Sequence, residues 1–313
     1  MLQKQTPVLP SFITLPRDFA AHDGMPWELW WIATDLHADG RNLGVQALFI
    51  QLDDQMVALS LSIVDFDSGL TWSKTDQYEM ASVTISTDRL DVRTPLADLS
   101  MTPSGDLRFT SAIDGASKVD LTLQPTSPVL HNCGTGSFPF SGGRTWQYSA
   151  PALAVAGAVS VEGSTLAVTG GGWLDRQWCD PATDLVTLQF TWLGICLENG
   201  TNISVWDTTI GGTPQGQAWA TIVSQDGAHT IVPMEPVAQG ASGTLVSRAG
   251  NRYPAGWTVR IPKADAVLEI THAQLFERSA RPFYQGALKV TGLYNSAAVC
   301  GYGFCDLVGW TDA

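Results

Sequence analysis

Short β-prone segments separated by turn signals recur from Trp27 to Leu307, and no stretch carries the apolar spacing of an amphipathic helix. This feature confines the chain to an all-β architecture, because a packed helix needs an apolar stripe and none is supplied. Residues 27–33 are aromatic and β-prone, Asp39-Gly40-Arg41-Asn42 reads as a turn, and 44–52 returns as a strand. Further strands are expected at 56–66, 82–85, 89–93, 107–112 and 118–124. In the last of these Val119, Leu121 and Leu123 alternate with polar neighbours, the period of a half-buried strand. The Pro-, Gly- and Ser-rich stretch 125–143 reads as a loop or linker, which places a domain boundary at 145/146 and divides the chain into 1–145 and 146–313.

The second half has the same texture. Segments 158–162 and 165–169 flank Gly163 as a hairpin, and 185–197 reads as one long strand. Asn199-Gly200 is the strongest turn signal, since Asn-Gly suits a two-residue type I′ turn, and 201–209 returns. Later strands are expected at 218–224, 229–234, 256–261, 266–275, 286–293 and 298–307. Regularly spaced short strands suggest sandwiches or barrels.

The most chemically loaded stretch is Gly170-Gly171-Gly172-Trp173-Leu174-Asp175-Arg176-Gln177-Trp178. Three glycines allow a turn or a close approach. If the following run is extended, Trp173, Asp175 and Gln177 share one face while Leu174, Arg176 and Trp178 share the other. A carboxylate beside indoles is costly to bury unless it is paired or used. Asp175 is therefore either half of a structural ion pair with Arg176 or a working acid.

A net charge of −13 argues against nucleic acid and anionic membrane surfaces as partners. The chain has 12 tryptophans, which suit an apolar, ring-lined cavity as well as a core. The expected partner is an apolar small molecule. The apolar-looking run 151–161 is too short to span a bilayer, so no membrane insertion is expected. Prolines at 7, 10 and 16 break the N-terminal stretch, which lacks the apolar core of a signal peptide. Five cysteines without a CxxC pair fit reduced thiols and a cytoplasmic location. Histidines at 22, 37, 131, 229 and 272 have no ligand spacing with a cysteine, so neither a metal nor another cofactor is expected.

Four motifs in order resemble the lipocalin-like family that contains the carotenoid 1,2-hydratases and AttH-type proteins. They are Glu28-Leu29-Trp30-Trp31 with its following hairpin; His131 with Tyr148-Ser149-Ala150-Pro151; Gly172-Trp173-Leu174-Asp175-Arg176-Gln177-Trp178; and Tyr284-Gln285-Gly286-Ala287 followed by Gly301-Tyr302-Gly303-Phe304-Cys305-Asp306-Leu307-Val308-Gly309-Trp310. Arg176 stands where many members have His, Cys179 where they have Gly, and Asp306 where they have Glu. The resemblance implies two lipocalin-like (calycin-type) antiparallel β-barrel or sandwich domains with a pocket between or within them. It also implies a range of chemistry, from hydration of a carotenoid alkene to Diels–Alder cyclisation of a linear polyene in polyketide pathways.

Hydration requires an acid kept protonated near neutral pH, and burial among indoles achieves this. Asp175 is the first candidate and Glu28 the second. A [4+2] cyclisation instead requires a folded substrate and hydrogen bonds to a carbonyl. The resemblance places Trp30, His131, Tyr148, Arg176, Gln177 and Trp192 at pocket-associated positions that would supply such donors. The favoured expectation is a cofactor-independent cyclase or isomerase of natural-product biosynthesis, with Asp175, Arg176, Tyr148 and Glu28 catalytic and Trp30, His131, Trp173, Gln177, Trp178 and Trp192 holding the substrate. The alternatives are a hydratase with Asp175 as acid and a non-catalytic carrier of lipophilic ligands. Bland readings stand beside these: the tryptophans as core, Glu28 accepting backbone hydrogen bonds, His131 as an ordinary loop residue, and Asp306 tying a strand end.

Overall fold

The computed structural model describes residues 12–52, 55–180, 189–209, 216–247, 250–278 and 283–310. Two large antiparallel sheets, each curled into a half-barrel, make up the fold, as expected of two lipocalin-like units. The first sheet contains β1 (Trp27–Ala38), β2 (Arg41–Leu52), β3 (Met56–Asp65), β4 (Thr71–Glu79), β5 (Thr84–Ile85), β6 (Asp91–Arg93), β7 (Ala97–Met101), β8 (Leu107–Ala112), β9 (Lys118–Pro125), β10 (Leu130–His131), β11 (Ser137–Phe140), β12 (Gly143–Val161) and β13 (Ser164–Asp180). Its order is β4-β3-β2-β1-β13-β12-β9-β8-β7-β6-β5, with β10 and β11 also paired to β12. The second contains β14 (Phe190–Leu197), β15 (Asn202–Asp207), β16 (Ala218–Val223), β17 (His229–Pro233), β18 (Ala241–Ser242), β19 (Leu245–Val246), β20 (Arg252–Tyr253), β21 (Gly256–Ile261), β22 (Ala266–Arg278), β23 (Phe283–Tyr294) and β24 (Ala297–Val308). Its order is β17-β16-β15-β14-β24-β23-β22-β21-β18, while β19 and β20 pair separately. Helical structure among the described residues is limited to 3₁₀ turns of three or four residues, and no helix there is long and apolar enough to cross a membrane.

The chain changes sheets later than its composition indicated. The expected boundary at 145/146 falls inside β12, and β12 and β13 form a long hairpin in the first sheet. The transition lies between Asp180 and Phe190. The supposed linker 125–143 holds β10 and β11, because its prolines sit at edges where no ladder bond is needed from them. The expected strand 185–197 begins at Phe190 within the described residues, and 185–188 lie outside them. At Asn199-Gly200 only Gly200 takes a positive φ, of 84°, and Asn199 Oδ1 accepts the Thr201 N–H at 3.0 Å. The connection is therefore a three-residue loop ending in a left-handed glycine, not a type I′ turn. Positive φ at both central residues occurs instead at Asp39-Gly40, Ser141-Gly142, Glu162-Gly163 and Asn295-Ser296.

Alternation sorts side chains into three cores. Trp30, Ile32, Leu36, Leu174 and Trp178 fill the first half-barrel, and Leu193, Ile195, Cys305 and Leu307 help fill the second. The opposite faces of the same strands meet in a third core containing Trp31, Trp173, Phe190, Trp192, Trp206 and Phe304. Central strands are thus buried on both faces, which explains why β14 and β15 are buried at every position. The glycine run permits this packing. A Cβ on Gly170 would come within 2.0 Å of the Asp35 carbonyl oxygen, and one on Gly171 would meet the Tyr302 ring at 2.5 Å.

Candidate active site between the two sheets

The residues singled out in the sequence fall into separate environments, because adjacent positions on β13 face opposite ways. Arg176 and Trp178 point into the first half-barrel with Trp30, Tyr148 and Glu28. Arg176 pairs with Glu28, not with its neighbour Asp175. Its guanidinium lies 4.1 Å from the Trp30 ring centre and donates to the carbonyls of Ala20 at 2.7 Å and Gln177 at 3.1 Å. The His22 backbone N–H donates to Glu28 Oε1 at 2.7 Å, and the His22 ring stacks on Trp178 at 4.0 Å. Burial works to raise the Glu28 carboxyl, but the His22 hydrogen bond and the Arg176 charge outweigh it and hold it below its ordinary value. Tyr148 donates to the Asp18 carbonyl at 3.3 Å, and burial pushes its hydroxyl well above the usual phenol range. None of Glu28, Trp30, Tyr148, Arg176 and Trp178 lines the cavity described below. Arg176 and Glu28 form a buried ion pair beneath the Trp30 and Trp178 indoles.

His131 is elsewhere again. Its backbone N–H donates to His229 Nε2 at 2.9 Å, and the two rings lie 5.4 Å apart. It joins the two sheets away from the cavity. Cys179, where the resembled family has Gly, has its thiol pushed up to about 12 by burial and the nearby Asp180, the opposite of activation.

Trp173, Asp175 and Gln177 face the other way, toward the second sheet. Register places Leu48, Trp31, Asp175 and Ser149 in one row across β2, β1, β13 and β12. The next row on the same face is Ile50, Leu29, Gln177 and Gln147. Across the interface, Trp219, Trp206, Trp192, Asp306 and Gln285 form a row over β16, β15, β14, β24 and β23. Between these rows is a cavity of about 180 Å³ lined by Trp27, Leu29, Trp31, Leu48, Ile50, Phe140, Phe190, Trp192, Trp206 and Val308. Its polar lining is Gln147, Asp175, Gln177, Gln285 and Asp306. An engineered apolar cavity of roughly 150 Å³ holds benzene, so this one admits a ring or a branched alkene end.

Asp175 is held on three sides. Ser149 Oγ donates to Oδ1 at 2.5 Å, Trp173 Nε1 donates to Oδ1 at 2.8 Å, and Gln147 Nε2 donates to Oδ2 at 3.3 Å. Gln147 is oriented in turn by Trp206 Nε1, which donates to its Oε1 at 3.1 Å across the interface. Burial raises the Asp175 carboxyl to about 7, against the lowering effect of the Ser149, Trp173 and Gln147 hydrogen bonds. It is a carboxylic acid poised to hold or release a proton near neutral pH, at the wall of an aromatic cavity.

The sequence profile of the AttH-like family matches residues 6–310. The chain belongs to the AttH-like family. Two curated relatives fit this AttH-like chain at lower coverage. Dehydratase asqC of Emericella nidulans is 28% identical over 60% of this chain and 57% of its own length. Kievitone hydratase of Fusarium solani subsp. phaseoli is 26% identical over 60% of this chain and 56% of its own. The matched region thus spans a little over half of each relative. Among solved structures, an AttH-like protein of Nitrosomonas europaea superposes with a TM-score of 0.81 at 21% identity, covering 97% of this chain and all of that one. Kievitone hydratase from Nectria haematococca gives 0.79 at 20% identity, covering 99% and 95%. CghA with Sch210972 gives 0.54 at 14% identity, covering 92% and 90%. These structures show a common AttH-like fold.

Of the ten residues selected from sequence, Asp175, Gln177 and Trp192 line the cavity, and Trp173 donates to Asp175 from behind. Sequence reading missed Gln147 and Trp206, and named Ser149 and Gln285 only as motif residues, not as site residues. It read Asp306 as tying a strand end, whereas Asp306 sits on the cavity wall between Trp192 and Gln285. Strand parity applied to β12 carries the missing signal: Tyr148 faces the core, so Gln147 and Ser149 face the same side as Asp175.

Proposed function

We propose that this chain is a hydro-lyase that adds water to, or removes it from, an apolar substrate bearing an isoprenoid- or carotenoid-type alkene, with Asp175 as the acid. The observation that carries this reading is the buried Asp175 carboxyl on the cavity wall, pushed up to about 7. In hydration it gives a proton to an alkene carbon; in dehydration along the same path its carboxylate takes that proton back from carbon. General acid catalysis of this kind contributes roughly 10²–10⁴-fold. The cationic carbon formed on protonation lies among indoles, whose faces stabilise a desolvated cation by about 2 kcal/mol. Gln147, Gln177 and Gln285 offer amide groups for water or for the substrate's polar end. The names of the two curated relatives, a dehydratase and a hydratase, agree with this chemistry.

A second reading, intramolecular [4+2] cyclisation of a linear polyene, keeps support from the same three amides, which suit a carbonyl. Of the six donors first expected for it, Gln177 and Trp192 line the cavity, while Trp30, His131, Tyr148 and Arg176 do not. Mass spectrometry separates the two readings. The protein is incubated with linear polyenes, carbonyl-conjugated dienes, isoprenoid alkenes and tertiary alcohols in heavy-oxygen water. Gain or loss of the mass of water, with label in the product of gain, is the expected result. A product of unchanged mass transfers the site to cyclisation, and a ligand returned unaltered leaves only a carrier.

A further inference from the structure

The cavity has two carboxyl groups on opposing walls. Asp175 belongs to the first sheet, between Trp31 and Ser149 in its row, and Asp306 to the second, between Trp192 and Gln285. A planar alkene lodged between two sheets presents one π-face to each. Ser149, Trp173 and Gln147 donate to Asp175 from its flanks, which leaves the carboxyl the cavity side for the substrate. Gln285 lies beside Asp306 and can orient a water but cannot take its proton, since an amide is not a base.

We infer that Asp306 is the second catalytic residue, the base that directs water to the face opposite Asp175, and that water therefore adds anti. This rests on the hydro-lyase reading of the same cavity. The Asp175 O–H bond breaks as its proton joins one alkene carbon, and the π electrons form that C–H bond. A water oxygen on the Asp306 side bonds to the cationic carbon and releases a proton to the Asp306 carboxylate. That proton passes to solvent, solvent reprotonates Asp175, and the net change is alkene plus water to alcohol. Dehydration runs the same path backward, with protonated Asp306 giving its proton to the leaving hydroxyl and the Asp175 carboxylate taking the proton from carbon.

The probe is 1-methylcyclohexene in deuterium oxide, a single ring matched to the cavity. The expected product carries deuterium trans to the hydroxyl. Asp306→Asn lowers kcat by roughly 10²-fold or more, leaves KM within about twofold, and randomises the stereochemistry of the residual product. Asp306→Glu keeps the anti product. Quenching of tryptophan fluorescence by the probe verifies that each variant retains a formed cavity. Deuterium cis to the hydroxyl in the unaltered chain overturns the proposal, whatever the folding of the variants. So does an Asp306→Asn protein that turns over at the original rate. If that variant is unimpaired while Asp175→Asn is inactive, the Asp306 assignment alone falls; if both are unimpaired, the acid role of Asp175 falls with it.

Discussion

Asp175 and Arg176 are neighbours in sequence and strangers in the fold. Asp175 accepts hydrogen bonds from Ser149, Trp173 and Gln147 at the cavity between the sheets, while Arg176 is paired with Glu28 inside the first half-barrel. The positive charge beside Asp175 in sequence is spent on another carboxylate. Burial therefore dominates at Asp175, and ion pairing and hydrogen bonding dominate at Glu28.

Asp175→Asn separates function from stability. Its expected effect on turnover is a loss of roughly 10²–10⁴-fold. Its effect on stability has the opposite sign. A carboxyl whose folded pKa is raised from 3.8 to about 7 costs the native state nothing at low pH, and native stability falls as pH rises through that window. The variant lacks this cost, so its Tm advantage over the original chain should widen between about pH 4 and pH 7 and level off above that, as read by calorimetry.

Ser149→Ala removes a donor to the ionised form of Asp175. The apparent midpoint of the high-pH limb of activity should then move upward by roughly one unit, since hydrogen bonds to charged groups are worth about 1.5–3 kcal/mol. The measurement is the pH dependence of kcat for a probe alkene. A midpoint that stays in place removes Ser149 from the acid's environment.

Arg176→Met leaves Glu28 buried without its cation. The expected cost is about 3–5 kcal/mol in denaturant unfolding, while turnover per folded molecule is retained because Arg176 does not reach the cavity. The double change Arg176→Met with Glu28→Gln should recover much of that loss. The Glu28 carboxyl is lowered in the fold, so the stability it contributes is present above its unfolded value and is lost as pH falls. A specific loss of turnover in a stable Arg176→Met protein would return Arg176 to the chemistry.

The glycine run gives a graded test of packing. Gly170→Ala drives a methyl against the Asp35 backbone carbonyl, whereas Gly171→Ala meets only the far end of the Tyr302 ring. Thermal unfolding should show the larger loss for Gly170→Ala, in the range of about 1–3 kcal/mol expected for overpacking.

The β architecture was legible because turn residues and two-residue alternation are local signals, and the face assignment of 173–178 follows from alternation alone. The ends of the units were not legible. A Pro- and Gly-rich stretch at 125–143 resembles a linker in composition, yet its short strands are held by β12, a partner that sequence does not announce. The second wall of the cavity was hidden for a similar reason. Asp306, Gln285 and Trp206 become neighbours only through strand pairing in the second sheet and its docking on the first. Tyr148 drew notice as part of a motif, while Gln147 before it lines the cavity and Ser149 after it donates to Asp175.

The protonation of Asp175 can be read without knowing the substrate. The protein is labelled with carboxyl carbon-13 aspartate, the Asp175 signal is assigned by its absence in Asp175→Asn, and its chemical shift is followed from acid to alkaline pH. A midpoint near 7 is the expected result and places a protonated acid in the cavity under neutral conditions. A midpoint at the ordinary aspartate value of 3.8 contradicts the proposal, because Asp175 would then be a carboxylate with no proton to give.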